Sequence, residues 1–282
     1  MRDSGRNRAV RGSAGSSSSR RSPQDPTAPE SLSIVTWEPL DLSKALVVVG
    51  FPGLGFAGSI AAGYLVDSLR LKEVGYVISP AFPPTAVVDN GISASPIRVF
   101  LGDVVCGPDG SCDQLCVILS FIAPSPRVTT ALAHSLAMWA KAHRARHLVW
   151  FEGVKAEGLP VGEPQVTGVA SDEAGRKMLE MLNIPRSPDG VRVGVGAVAV
   201  YAARVQSQPA LCFFAETRED FPDARAAVRL LETLQPMIPI VKIDGRPLLE
   251  RAQVLEGVYR SQADRSKATV RSLSESADVM FG

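Results

Sequence analysis

The stretch ALVVVGFPGLGFAGSIAAGYLVDSL, residues 45–69, decides the fold. Ala45 to Val49 is an unbroken apolar run that stops at Gly50. Gly53, Gly55 and Gly58 then crowd a turn, and Ile60, Ala61, Tyr64, Leu65 and Leu69 recur at helical spacing. A fully apolar strand, a tight glycine turn and a helix form the opening unit of an α/β domain. The turn also spells G-x-G-x-x-G as Gly53-Leu-Gly55-Phe-Ala-Gly58. Whether those glycines serve a phosphate or only backbone clearance is the first functional question.

Outward from this unit, apolar runs and helical patterns alternate. Val74 to Ser79 reads as a strand that ends in the proline loop Pro80–Pro84. Ile97–Cys106 and Gln114–Phe121 read as strands joined across Gly107-Pro-Asp-Gly110. A helix follows, with Leu132, Leu136 and Trp139 on one face and a basic last turn, His143-Arg-Ala-Arg-His147. His147–Glu152 and Ala210–Ala215 are further core strands, and Asp172–Leu182 and Asp223–Leu234 are helices. Residues 154–170 lack a period and read as a functional surface loop. An amphipathic stretch begins near Pro247, with Leu248, Ala252, Leu255 and Tyr259 on one face. Continuously apolar strands alternating with helices predict a largely parallel sheet covered on both faces.

Three segments differ in composition. Residues 1–30 hold six arginines among Ser, Gly and Pro and lack the apolar content to fold. Residues 31–260 form one α/β domain. Residues 261–282 are a polar tether that ends Val279-Met280-Phe281-Gly282. The whole chain has 282 residues, 45% of them hydrophobic, and a net charge of +1. That length is enough to bury a full core, and the near-neutral charge gives no reason to expect a nucleic-acid partner. No apolar run reaches 18 residues, so no membrane span is expected, and the Arg- and Ser-rich start lacks the apolar core of a secretory signal. A cytoplasmic location is the expectation. The four cysteines leave two readings open: free thiols, or a hairpin disulfide between Cys106 and Cys112. They lack zinc spacing, and Arg144 stands where an H-E-x-x-H motif needs Glu, so no metal is expected at His143 and His147.

Each candidate site has a plainer alternative. A dinucleotide fingerprint needs an acid at the end of the second strand, where this chain has Ile78-Ser79-Pro80. No Lys-Ser/Thr follows the glycines, so the turn is not a P-loop. Gly53, Gly55 and Gly58 are therefore read first as clearance for close helix packing and second as a weak anion site. Glu152 and Glu216 both close core strands at the carboxyl edge of the sheet, where α/β folds bind ligands. Two acids there suit acid–base chemistry, and capping of a neighbouring loop or helix explains them as well. The tip, an apolar residue and an aromatic after a polar tether, is a good recognition peptide.

Taken together, Val48-Val-Gly-Phe-Pro-Gly-Leu-Gly55 with Gly58, the Ser79–Pro84 loop, Phe151-Glu-Gly153, Phe214-Ala-Glu216 and Ile243-Asp244 resemble the proteasome assembly chaperone family. The resemblance is to the branch named after its second chaperone, with its archaeal members. It implies a three-layer α/β/α fold similar to nucleoside phosphorylases without their catalytic set, hence no enzyme activity and no cofactor. It also implies a homo-oligomer whose partners are proteasome α-subunits or the 20S core particle. The family's C-terminal hydrophobic–tyrosine–any tripeptide maps onto Met280, Phe281 and Gly282, with Phe281 lacking the tyrosine hydroxyl. The reading from another class is a nucleoside- or nucleotide-binding enzyme that uses the Gly50–Gly58 turn with Glu152 and Glu216.

Overall fold

A computed structural model describes residues 32–107, 110–156, 163–217, 222–240, 244 and 246–248. The arginine-rich residues 1–30, the tether 261–278 and the tip Met280-Phe281-Gly282 lie outside the described residues.

The apolar run of the opening stretch becomes β2 (Ala45–Gly50), and every residue in it is buried. Its side chains alternate between the faces of the sheet, and both faces are covered. Leu46 and Val48 join a cluster with α1 (Ala57–Ser68) and α5 (Ala224–Leu234), whereas Val47 and Val49 join one with α2 (Pro126–Ala142) and α4 (Val195–Gln206). A strand buried on both sides has no polar face to show, which is why its sequence does not alternate.

β2 is central in an eight-stranded sheet. The remaining strands are β1 (Ser33–Thr36), β3 (Lys72–Ile78), β6 (Ile97–Cys106), β7 (Cys112–Ser120), β8 (His147–Lys155), β9 (Val166–Ala170) and β10 (Ala210–Thr217). Their order is β1-β3-β6-β7-β2-β8-β10-β9. The core β7-β2-β8-β10 is parallel throughout. The other neighbours, β6 on β7, β3 on β6, β1 on β3 and β9 on β10, are antiparallel. The result is the expected three-layer α/β/α architecture, its sheet built on a parallel core with antiparallel strands toward both edges.

Two elements depart from the sequence reading. The 154–170 stretch reads as loop throughout, yet its first two residues finish β8 and its last part forms β9. Five residues interrupted by Gly168 show no period, and the strand exists because it pairs with β10 from Leu211↔Ala170 to Ala215↔Val166. Its outer edge is capped by Gly168 N–H to Pro185 O and Ser187 N–H to Gly168 O, which removes an open edge. Secondly, a separate hairpin of β4 (Val87–Asp89) and β5 (Ile92–Ala94) stands between the adjacent antiparallel strands β3 and β6. Asn90 and Gly91 turn it, both at positive φ (48° and 79°), as a tight hairpin requires.

A two-residue-turn hairpin is marginal alone, and Arg98 of β6 anchors it. The guanidinium lies between the rings of Phe100 and Phe121, at 5.4 and 5.3 Å, and donates to Glu73 of β3 at 3.3 Å and to Asp89 of the hairpin at 3.4 Å. The Arg98 side chain is only 10% exposed, so it cannot exchange these partners for water. Arg98→Met is expected to lower stability by about 1–2 kcal/mol. The loss is concentrated locally: hydrogen exchange should accelerate at 87–94 while the β7-β2-β8 core stays protected.

A third sequence question concerned the thiols. Cys106 and Cys112 are joined as a disulfide, with Cα atoms 4.8 Å apart across the β6–β7 hairpin, so of the two open readings the hairpin bond is the one adopted. Cys116 and Cys212 are free and buried.

Candidate functional site

At the carboxyl end of β2 the chain turns into α1 through Gly53-Leu-Gly55-Phe56. Each glycine of the fingerprint faces other parts of the protein. A Cβ on Gly58 would lie 2.5 Å from Phe151 O, and one on Gly50 would lie 2.3 Å from Gly58 O. Gly55 adopts φ +61°, and a Cβ there would meet the Thr217 side chain at 2.8 Å. A Cβ on Gly53 would lie 2.5 Å from Glu152 Oε1. The turn therefore presses α1 against the ends of β8 and β10 at backbone distance.

Glu152 is the unusual group at this edge. It follows Trp150 and Phe151 in β8, and is buried with 5% exposure. Oε2 accepts a hydrogen bond from Gly196 N–H at 2.8 Å, in the first turn of α4. Gly194, at φ +132° before that helix, would bring a Cβ within 2.9 Å of the carboxyl. Gly53, Gly194 and Gly196 thus form a cradle around one buried acid. Burial raises its pKa from 4.5 to about 7, and the Gly196 N–H opposes part of that rise. Cys212 of β10 also faces it: burial first, and then the Glu152 charge, push that thiol well above its ordinary value.

Glu216 behaves differently. It is half-buried at the end of β10, where its carboxylate accepts from Gln165 N–H at 3.3 Å and its own N–H donates to Gln165 O at 2.9 Å. It fastens the entry to β9 and lines a cavity of about 160 Å³ with Phe214, Thr167, Lys155 and Arg192. Glu152 and Glu216 share a sheet face by strand parity, since Glu152 pairs with Phe214. Among the described residues no hydrogen bond joins them, so the structure gives each acid its own backbone partner.

The histidines carry no metal geometry. His143 packs its ring on Trp139 at 4.9 Å and holds Trp139 O at 2.9 Å through Nδ1. Among the described residues there is no group of three or more His, Cys, Asp or Glu placed to hold a metal ion, and no helix is long and apolar enough to cross a membrane. Sequence reasoning missed Gly194 and Gly196, whose spacing in Gly190-Val-Arg-Val-Gly194-Val-Gly196 was legible but whose partner, Glu152, lies 44 residues away. It also missed the hairpin, although Asn90-Gly91 between Val87-Val88 and Ile92 is a strong hairpin signal.

Comparison with known proteins matches the model of the PAC2 family over residues 47–263. An uncharacterized protein of Methanocaldococcus jannaschii is 24% identical over 238 residues, which cover 84% of this chain and 92% of the relative. Among solved structures, Pyrococcus furiosus PbaA, described as an archaeal homolog of proteasome-assembly chaperone, superposes with a TM-score of 0.70 at 24% identity. The match covers 85% of this chain and 99% of PbaA. Pyrococcus furiosus PbaB, described as an archaeal proteasome activator, superposes with a TM-score of 0.65 at 19% identity, covering 83% of this chain and 99% of PbaB. These superpositions show a shared fold, and the family model spans both the glycine turn and the glycine cradle around Glu152. The chain belongs to the PAC2 family, the second-chaperone branch that its motifs resemble.

Proposed function

We propose that this protein is a non-catalytic proteasome assembly factor that binds proteasome α-subunits as a homo-oligomer, through tails ending in Met280-Phe281-Gly282. The observation that carries the reading is the match to PbaA and PbaB over 99% of each of their lengths, one a chaperone homologue and the other an activator of the proteasome. The polar stretch 261–278 ahead of an apolar tip supports the tail mechanism, since a tethered tip reaches a pocket that a rigid surface cannot. Several tails on one oligomer bind by avidity, which suits a tip whose aromatic lacks the tyrosine hydroxyl. The cytoplasm, where 20S particles assemble, is the matching location.

The nucleotide reading gains no support from the glycine turn. Glu152 stands against Gly53 inside the turn, so its buried carboxyl fills the space that a phosphate would need beside that glycine.

The reading is tested by capture. Tagged full-length protein incubated with purified α-subunits or 20S particles is expected to retain them. The chain lacking residues 280–282 is expected to lose at least about nine-tenths of that capture, because multivalent binding collapses when each tail is removed. Equal capture by both forms sinks the tail mechanism, and no capture by either sinks the proteasome reading.

A further inference from the structure

We propose that the outer face of the α2–α4 layer is a dock for this chain's own segment 272–281, which holds the Met280-Phe281 tip against the body until a partner displaces it. The proposal rests on the reading of that tip as the partner-binding element.

The dock is unlike the rest of the helical surface. α2 and α4 run side by side, and Lys141 Nζ donates to Gln206 O at 2.5 Å, which brings their last turns together. At that level Met138 on α2 is 53% exposed, and Tyr201 and Val205, one turn apart on α4, are 62% and 55% exposed. The two helices also carry Arg127, Lys141 and Arg204 as exposed cations, and neither contains an Asp or Glu. Beyond the last turn of α4, Arg204 lines a cavity with Asp172, Glu173 and Asp189; Asp172 accepts from Gly175 N–H, Glu173 pairs with Arg176, and Asp41 pairs with Arg144. On the opposite side of the sheet, α3 (Glu173–Met181) and α5 mix both signs. The result is an apolar strip rimmed by positive charge, with no carboxylate on either helix.

Segment 272–281 has the complementary chemistry. It reads Ser-Leu-Ser-Glu-Ser-Ala-Asp-Val-Met-Phe, with Glu275 and Asp278, no cation, and three consecutive apolar residues, Val279 to Phe281. Three apolar side chains face three, and two carboxylates face Lys141 and Arg204. The preceding stretch, 260–271, carries Arg260, Arg265, Lys267 and Arg271 against Asp264 alone. A basic rim repels that stretch, which fixes which part of the tail can settle. Reach is ample. Leu248 is buried in the α1–α5 cluster, and the connection to Ser272 spans up to about 80 Å when extended. A body of this size is about 45 Å across, so the path over its surface to the opposite face is about 70 Å. A tethered segment acts at an effective concentration of order millimolar, so a patch too weak to hold a free peptide can still be occupied.

The test uses the full chain with the photo-crosslinking residue p-benzoylphenylalanine at Val205, and a control chain with it at Met181, which is 66% exposed on α3. After irradiation and trypsin digestion, the Val205 probe is expected to label the peptide beginning at Ser272. The Met181 probe is not. Mixing isotope-labelled and unlabelled chains separates capture within one chain, which supports the proposal, from capture only between copies, which overturns it. Lys141→Glu with Arg204→Glu is expected to cut tail labelling about tenfold and to raise retention of α-subunits. Labelling of the folded body of a second copy, labelling no greater than the Met181 control, or tail labelling indifferent to the charge reversal overturns the proposal. If the tail labels at Val205 but deletion of 280–282 leaves α-subunit capture unchanged, the dock stands and the tip's role at the proteasome falls.

Discussion

Gly153→Ala is expected to cost at least about 3 kcal/mol and to lower the melting temperature by about 10 °C, with soluble yield falling accordingly. Gly153 follows Glu152 in β8, at the point where the β2–α1 turn crosses the sheet. A Cβ there would sit 2.0 Å from Leu54 O and 2.9 Å from the Thr217 side chain. The first contact is with backbone, which has no rotamer to yield, so relief requires lifting the whole Gly53–Phe56 turn. That turn also carries Gly55 O, which accepts from Asp223 N–H at 2.7 Å at the start of α5. Lifting it therefore loosens two helices at once. The contrast is Gly91→Asn on the hairpin tip. No atom lies within 4 Å of its added Cβ, and Asn tolerates the positive φ, so the expected loss is below about 1 kcal/mol. Equal thermal melts for the two variants would contradict the role assigned to the turn.

Glu152→Gln is expected to abolish a pH dependence that the native protein shows. The folded pKa, about 7, lies above the ordinary 4.5. Between those values the folded chain keeps a proton that the unfolded chain releases, so native stability falls as pH rises from about 4.5 through 7. Below that window the effect is absent. Above it the loss is complete and amounts to about 3 kcal/mol. Glutamine keeps an oxygen for the Gly196 N–H but never ionises, so it is expected to be more stable than wild type at pH 8 by about that amount and by less than about 1 kcal/mol at pH 5. Urea melts at both pH values measure this. A native melt that is flat between pH 5 and 8 would show that the cradle does not hold the acid away from water.

Much of this fold was legible because its signals are local. Ala45–Val49 had to be a strand buried on both faces, and the glycines after it had to permit a tight entry to a helix. Their partners were not legible. The sequence shows that Gly58 is small, but not that Phe151 O lies where its Cβ would be. Glu152 and Glu216 stood out equally as acids at strand ends, and only tertiary contacts separate them: one is walled in by Gly53, Gly194 and Gly196, and the other is tied to Gln165 at the surface. β9 was hidden because five residues pair through β10 and not through any pattern of their own. Strand polarity has the same origin. β6 and β7 announce an antiparallel hairpin through Gly107-Pro-Asp-Gly110, whereas the parallel pairing of β2 with β8 joins residues a hundred positions apart. Motif order across 45–260 identified the family where no single motif would have done so.

The acid in the glycine turn and the tip of the tail divide structure from function in this protein. The glycine turn that packs against this acid supports a body that matches proteasome factors, and the tip is proposed to contact the partner. The direct measurement is the affinity of the full chain for immobilised proteasome α-rings, alongside the chain lacking residues 280–282 and the Phe281→Tyr variant. Restoring a phenolic hydroxyl is expected to tighten each tail about fivefold, the worth of one hydrogen bond. Deletion is expected to weaken binding at least about a hundredfold through lost avidity. Equal affinity of the full and shortened chains would contradict the account.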